Sequence, residues 1–555
     1  MSEEAGFGTP RPALRPVYFF DDVHSHDRAL LGGKGAGLAE MTKLGLPVPA
    51  GFTITTDICE KFYEAGRRLP DGLMDEVRKS MKRLEQLTGK EFGSPSNPLL
   101  VSVRSGAAVS MPGMLDTILN LGMNRETTEG LARQSGDRRF AYDSYRRFIQ
   151  MFGKIVLGID DRKFDSLLAG KDMSSADVLS ELTDSFIALC ESTGRRFPAD
   201  PYKQLELAID GVFRSWMGKR AVEYRRQYGI TPDRANGTAA TIVSMVFGNM
   251  GPDSCTGVVF TRNPETGEKS LYGDYLTNAQ GEDVVSGRTT PNHIDSLVSE
   301  MPEVYRQLKS VCDKLENHFK EVQDVEFTVE KSKLYILQTR AAKMNAVAEV
   351  KTSVDMYHEG LVSRTAAIER IDPEGLEQVL YRRIDPHSRD KAVATGVGAS
   401  PGAASGMAIF DVSEAESLGK KGEKVILVRE ETKPDDVPAF FQSAGILTTR
   451  GGKTSHAAVV ARGMGKPCVV GCSQIEIDFE ARRFVVDGGT VVKEGEKITI
   501  DGSGGRIYAG EVQTVEPEIS SEFKELLQWS LETKGIKIRA NADTVESAAL
   551  ARRYG

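Results

Sequence analysis

A chain of 555 residues is too long for one hydrophobic core and implies three or four domains. With 71 basic against 79 acidic residues the net charge is -8, so there is no basic footprint and nucleic acid is not expected as a partner. No apolar run is long enough to cross a bilayer, and six cysteines in a chain this size suggest no disulfide framework.

The first sixteen residues hold two Glu, two Gly and three Pro. They resemble neither a secretory signal nor a transit peptide, so residues 1–16 read as a disordered lead-in to a cytoplasmic enzyme. Residues 29–45 follow: Ala29–Leu31 as a short apolar strand, a glycine loop (Gly32, Gly33, Gly35 and Gly37 around Lys34), then a helix stopped by Gly45. Glycines let backbone N–H groups approach an anion, the helix N-terminus favours negative charge, and Lys34 adds a point charge for a phosphate. The spacing fits neither a Walker A loop nor G-x-G-x-x-G, and a plain glycine turn with a solvated lysine would read the same way.

Residues 99–104 alternate like a strand and end on Arg104, which enters a small-residue segment (Ser105–Ala108, Ser110–Met114) suited to covering a nucleotide. From about 125 to 230 the pattern is helical, with aromatic and basic residues interleaved. Strands return at 239–247 and 256–260, then as a hairpin over 323–340 turning at Lys331-Ser332. Period two puts Asp324 and Glu326 on one face, with Val325, Phe327 and Val329 on the other; Gln338 and Arg340 share a face of the return strand. Two carboxylates and an amide oxygen are hard ligands of the kind Mg²⁺ takes, and an arginine beside them can hold a phosphate. A surface strand with solvated charges is the competing reading of the hairpin alone.

Residues 343–390 are charged and turn-rich and read as a helical linker. A compact Gly- and Val-rich α/β unit spans 391–511, a second linker 512–534, and a further domain begins at about 535. Cys468 and Cys472 lie within this unit with no nearby pair to complete a zinc site, and read as buried thiols. The most informative stretch is Thr448–Arg462, TTRGGKTSHAAVVAR. A strand ends in a Gly-Gly loop, Thr454 or Ser455 can cap the helix that follows, and Gly463 and Gly465 stop it. His456 falls in the first turn, where unpaired N–H groups and the helix dipole would stabilise a phosphate on the ring. Neutral imidazole needs no strong base to attack phosphorus, and Arg450 and Arg462 could neutralise the transferring group.

Taken together, LLGGKGAGLAEMTKLGLPVPAGFTI, VSVRSGAAVSMPGMLDTILNLGMN, TGVVFTRNPETGE, NAQGEDVVSG, the VEFTVE…LYILQTR hairpin and TTRGGKTSHAAVVARGMGKPCVVG resemble, in order, the pyruvate, phosphate dikinase family. The resemblance covers nearly all of the chain from residue 17. It implies a multidomain α/β protein: an ATP-grasp nucleotide domain over 17–342, a swivelling phosphohistidine domain over 391–511, and a C-terminal (β/α)₈ barrel for pyruvate of which 535–555 would be only the start. By matching motif, the ATP-site residues would be Lys34, Arg104, Glu282, Asp283, Asp324, Glu326, Gln338 and Arg340. Mg²⁺ ligands would come from Asp324, Glu326 and Gln338, and His456 would be the phosphocarrier. Thr454 matches a threonine that a regulatory kinase modifies in plant members, and Lys453 stands where the family more often has methionine. The implied substrates are ATP and inorganic phosphate, with pyruvate and phosphoenolpyruvate served by the barrel, and the full-length family implies a homodimer.

The expected activity of residues 1–555 is therefore the ATP/phosphate half-reaction, ending in phospho-His456. The nearest rival is a phosphoenolpyruvate synthase-type enzyme with water as second acceptor. A non-catalytic ATP-binding regulatory homologue is another. An ATP-grasp ligase would leave the histidine loop without a purpose.

Overall fold

The computed structural model describes residues 15–22, 27–109, 111, 113–232, 234–285, 290–372, 383–385, 388, 390–515 and 520–533, with isolated positions at 535, 539, 545, 548–549 and 552. Most of the lead-in, the end of NAQGEDVVSG, part of the first linker and most of 535–555 lie outside the described residues. The chain folds as two compact units, Met1–Val246 with Tyr335–Gln338, and Phe247–Leu334 with Thr339–Gly555. Their parting after Val246 falls inside the stretch 17–342 read as one nucleotide-binding domain.

The first unit is built on a five-stranded antiparallel sheet in the order Val17–Phe19, Gly51–Ile54, Ala239–Ser244, Val101–Gly106, Thr117–Leu121. Between the last of these strands and Ala239 run six helices from Arg125–Ser135 to Lys219–Gln227, the helical stretch that the sequence pattern marks. Their aromatic residues are the core: Phe148, Phe152, Phe164 and Phe186 are fully buried.

Ala29–Leu31 is not a strand but the first turn of the helix Arg28–Lys43, because the Asp27 carboxylate accepts hydrogen bonds from the Ala29 and Leu30 N–H groups and caps it. Gly32, at φ 66° and ψ 164°, then breaks the helix with a kink. A strand-like apolar triplet is thus overruled by a cap two residues before it.

The second unit carries a five-stranded sheet ordered Asn292–His293, Tyr272–Thr277, Cys255–Phe260, Gln323–Glu330, Lys333–Ala341. The expected hairpin is present, with Lys331 and Ser332 both at positive φ as a tight two-residue turn requires. Val325, Phe327 and Val329 are fully buried, and the helix Pro302–Phe319 packs against their strand.

An eight-stranded sheet follows in the order Ala394–Thr395, Arg506–Ala509, Lys497–Asp501, Ala403–Ile409, Val425–Arg429, Gly445–Thr448, Cys468–Val470, Val397–Ser400. Its four central strands, from Ala403–Ile409 to Cys468–Val470, are parallel. The run VILV is apolar throughout because both faces are covered. Val425 and Leu427 join a core with Ala457, Ala458 and Ala461 of the histidine helix, while Ile426 and Val428 join one with Phe484 and Val486 of a small three-stranded sheet. Both cysteines of C-V-V-G-C are buried free thiols, as expected.

The two stretches read as linkers contain helices that pack on each other. Val350, Val354 and Ile371 share a hydrophobic cluster with Phe523, Leu526 and Trp529, and His358 Nε2 lies 3.1 Å from Glu525. They form a small helical cluster.

Candidate functional site

In the first unit the glycine kink and the arginine strand meet. Gly33 N–H donates to the Ala107 carbonyl at 2.8 Å, so that N–H is engaged within the protein rather than left for an anion. Lys34 follows the kink and is partly exposed. Arg104 donates to the Leu337 carbonyl at 3.3 Å, next to Gln338 on the portion of the return strand belonging to this unit. Lys34, Arg104 and Gln338 thus sit in one unit, and the other expected site residues sit in the second.

In the second unit Asp324 is 4% exposed. Its Oδ2 accepts from Arg340 Nε at 2.7 Å, and its Oδ1 is buried with no hydrogen-bond partner. Burial raises its pKa above the usual carboxylate range, with Arg340 pulling the other way. A buried carboxylate oxygen without a donor, two residues from Glu326, fits a divalent cation. Among the described residues no three His, Cys, Asp or Glu side chains converge, so a cation here would draw on an amide or substrate oxygens as well. Lys343, which the sequence did not single out, adds an exposed cation, and its Cδ would lie 3.3 Å from a Cβ at Gly463. Asp283 caps the short helix Gly281–Val285 by accepting from Gln280 N–H at 2.9 Å. The backbone of Glu282 belongs to that helix; its side chain is outside the described set.

His456 opens the helix His456–Gly463, with Ser455 as the N-cap. It stands beyond the C-terminal end of the strand Gly445–Thr448, the edge of a parallel sheet where ligand sites recur. The neighbouring strand Val425–Arg429 delivers Thr432, whose Oγ1 is 3.4 Å from His456 Nδ1, and Phe440 packs 6.2 Å from the ring. Burial holds the imidazole pKa below the ordinary 6.5, opposed by the charge of Asp436, so the ring is neutral at pH 7. Thr432 and Asp436 were not legible as site residues because only the parallel strand pairing brings them to the ring.

The two arginines of the motif differ. Arg450 is exposed and 3.6 Å from Glu430, which leaves it near solvent. Arg462 is buried and donates to the carbonyls of Ala399 and Lys453 at 2.9 and 3.0 Å, so it pins the loop. Lys453 Nζ lies 4.3 Å over the Tyr272 ring. Thr454 is 4% exposed, and its hydroxyl donates to Asp274 Oδ2 at 3.4 Å. The strand Tyr272–Thr277 that carries Asp274 was missed in the sequence, because its residues show no period-two alternation and its first four are all buried.

Comparison with known proteins places this geometry in a class. Residues 28–68, 66–306 and 299–361 match the model described as "Pyruvate phosphate dikinase, AMP/ATP-binding domain". Residues 421–505, which hold the histidine loop, match "PEP-utilising enzyme, mobile domain". The second match sets the chain among the PEP-utilising enzymes. Within it, the chain belongs to the pyruvate phosphate dikinase family.

The chain is 52% identical to pyruvate, phosphate dikinase of Entamoeba histolytica, over 98% of this chain and 62% of that protein. It is 46% identical to the Rhizobium meliloti protein of that name, over 96% and 61%. To pyruvate, phosphate dikinase 1, chloroplastic, of Arabidopsis thaliana it is 48% identical, over 95% and 56%. The chain thus spans about three-fifths of the length of these relatives (62%, 61% and 56%). Among the described residues no helix is long and apolar enough to cross a membrane.

Proposed function

We propose that this chain phosphorylates its own His456 from ATP, the ATP-side half of a dikinase reaction. The observation that carries the reading is the state and placement of His456: a neutral imidazole at the first position of a capped helix, on a loop that contacts the sheet bearing Asp324 and Glu326. An ATP-grasp nucleotide domain over 17–342 and a swivelling carrier domain over 391–511 are part of the same proposal, supported by one antiparallel sheet in each unit and by the two family models.

In the first step one ring nitrogen of His456 attacks the β-phosphorus of ATP, the bond to the α-phosphoryl oxygen breaks, and AMP leaves. With Thr432 accepting from Nδ1–H, Nε2 keeps its lone pair for the attack. In the second step inorganic phosphate takes the γ-phosphoryl as pyrophosphate, leaving phospho-His456. Free N–H groups at the helix start stabilise that charge. Lys34, Arg104, Glu282, Asp283, Asp324, Glu326, Gln338 and Arg340 would position the nucleotide, because phosphoryl transfer asks mainly for alignment and charge neutralisation. Asp324, Glu326 and Gln338 would hold Mg²⁺, which supplies charge neutralisation at the phosphoryl oxygens when bound. For the whole protein, the proposal extends to the pyruvate named in its relatives' activity. Thr454 is proposed as a regulatory hydroxyl that a kinase reaches only when the loop leaves Asp274.

Intact-mass and peptide spectrometry after incubation with ATP, Mg²⁺ and phosphate tests the reading. The expected result is one phosphoryl group on His456 with pyrophosphate released in equal amount. Pyrophosphate-free turnover would assign water as the second acceptor, and an unmodified His456 would defeat the proposal.

A further inference from the structure

The stretch TGVVFTRNPETGE carries an arginine that the phosphoryl chemistry leaves without a task. Arg262 is fully buried, two residues beyond the end of the strand Cys255–Phe260. Its Nε and Nη2 donate to Glu316 Oε1 at 3.0 and 2.7 Å. Its Nη1 and Nη2 donate to the two carboxylate oxygens of Glu359 at 3.0 and 2.7 Å. Every guanidinium nitrogen is thus engaged by a carboxylate inside the fold, so Arg262 has no approach to a substrate phosphate.

From Arg262 the contacts run on to the acidic hairpin. Glu316, on the helix Pro302–Phe319, accepts at its other oxygen from Thr261 Oγ1 at 2.8 Å. Thr261 N–H donates to the Gln323 carbonyl and Gln323 N–H donates back to Thr261 Oγ1, each at 3.0 Å. Gln323 Oε1 then accepts from Thr339 Oγ1 of the return strand at 3.0 Å. Gln323 immediately precedes Asp324, and Thr339 immediately precedes Arg340. Asp324 itself has one oxygen on Arg340 and one with no donor, so its placement depends on the backbone that carries it.

The far end of the line is a fixed post. Glu359 is the C-cap residue of the helix Ala346–His358 and also accepts from Lys269 Nζ at 2.7 Å. At the start of that helix Asn345 N–H donates to the Pro264 carbonyl at 3.2 Å. Arg262 and Pro264 therefore hold the two ends of one helix. Ion pairs buried this deeply add little net stability over apolar packing; what they supply is directed geometry.

We propose that Arg262 is a positioning residue for the metal–nucleotide site: braced on Glu359, it sets through Glu316 and Thr261 the strand position from which Asp324 would hold Mg²⁺. The proposal rests on the Mg²⁺ role assigned to Asp324 above. Arg262 acts through Thr261 and Gln323, not by contact with the cation. A metal ligand has to be held to within about 0.5 Å by its supporting contacts, and this line is the support on the Gln323 side of Asp324.

The test pairs calorimetric titration of ATP binding at varied Mg²⁺ with hydrogen exchange of the Gln323–Glu326 amides, measured without metal or nucleotide. Thr261→Val cuts the line beside Gln323, and Arg262→Lys keeps the charge without the fork. Each is expected to raise the Mg²⁺ concentration for half-maximal binding, and to speed that exchange, by about tenfold, the scale of one hydrogen bond to a charged group. Thr261→Ser keeps the hydroxyl and should match wild type in both. Glu359→Gln tests the brace at a side chain that is 27% exposed, and should raise the Mg²⁺ requirement about threefold. Added to Thr261→Val it should contribute less than that, because both changes cut the same line. ATP binding without Mg²⁺ should stay within about twofold of wild type throughout.

An unchanged Mg²⁺ requirement in both Thr261→Val and Glu359→Gln would overturn the proposal and leave Arg262 as a staple of the fold. An equal loss of ATP affinity with and without Mg²⁺ would overturn it too, since that marks a general loss of structure. Wild-type binding that ignores Mg²⁺ would defeat the metal role of Asp324 and this proposal with it, a failure visible before any variant is made.

Discussion

The carbonyl oxygen of Gly106 lies where the side chain of residue 32 would begin: a Cβ on Gly32 would stand 1.9 Å from it. Gly32 also has φ 66°. Conformation and contact therefore both demand glycine, and the arginine strand is locked to the glycine loop through this point. Gly32→Ala should cost about 3 kcal/mol, adding left-handed strain to overpacking. At Gly33 a Cβ would meet only the Ala107 oxygen at 3.5 Å, an ordinary contact, so Gly33→Ala should cost about 1 kcal/mol or less. Chemical denaturation of the two variants checks the contrast.

His456 should titrate below 6.5, because burial disfavours its charged form. Above that pH the ring is neutral and competent; as pH falls through its lowered pKa it protonates and loses its lone pair. The single-turnover rate of AMP release should therefore hold from pH 8 down past 6.5 and decline only at more acidic pH. Thr432→Val should reduce the rate about tenfold by freeing the tautomer, and His456→Asn should abolish phosphorylation. A rate profile with its acid limb at or above 6.5 would contradict the buried-imidazole account.

Asp324 presents one oxygen to Arg340 and one to no donor. Asp324→Asn keeps the shape and removes the charge by which Asp324 would hold Mg²⁺. The Mg²⁺ concentration giving half-maximal nucleotide binding should rise at least tenfold. Removing Mg²⁺ with a chelator should erase the difference between variant and wild type. Calorimetric titration with and without the metal measures both outcomes.

Glu349, in the first turn of Ala346–His358, is pushed up to about 7 by burial and by Asp372. A carboxyl whose folded pKa exceeds its ordinary 4.5 favours folding below 4.5, and that advantage disappears as pH rises through about 7. Glu349→Gln cannot ionise, so it should match wild type at pH 4 and be the more stable form at pH 8. After discounting for the solvent that reaches the group, the gain at pH 8 should be about 1 kcal/mol. Thermal melts at the two pH values distinguish this from a pH-independent effect.

Features written in neighbouring residues were legible in the chain alone. The hairpin follows from period-two alternation around Lys331-Ser332, and the helix at His456 from a glycine loop, a hydroxyl cap and terminal glycines. Both need only interactions a few residues apart. Local pattern failed at Ala29–Leu31, where the Asp27 cap outweighs an apolar triplet. It was silent on the packing of the two linker helices, which depends on Trp529 meeting a segment some 170 residues earlier. The sequence by itself thus determined the histidine loop, the cap of its helix and the acidic hairpin. Only the tertiary structure decided that Thr432 addresses the ring and that Asp274 holds Thr454, because strand pairing and burial, rather than spacing along the chain, bring those side chains within reach.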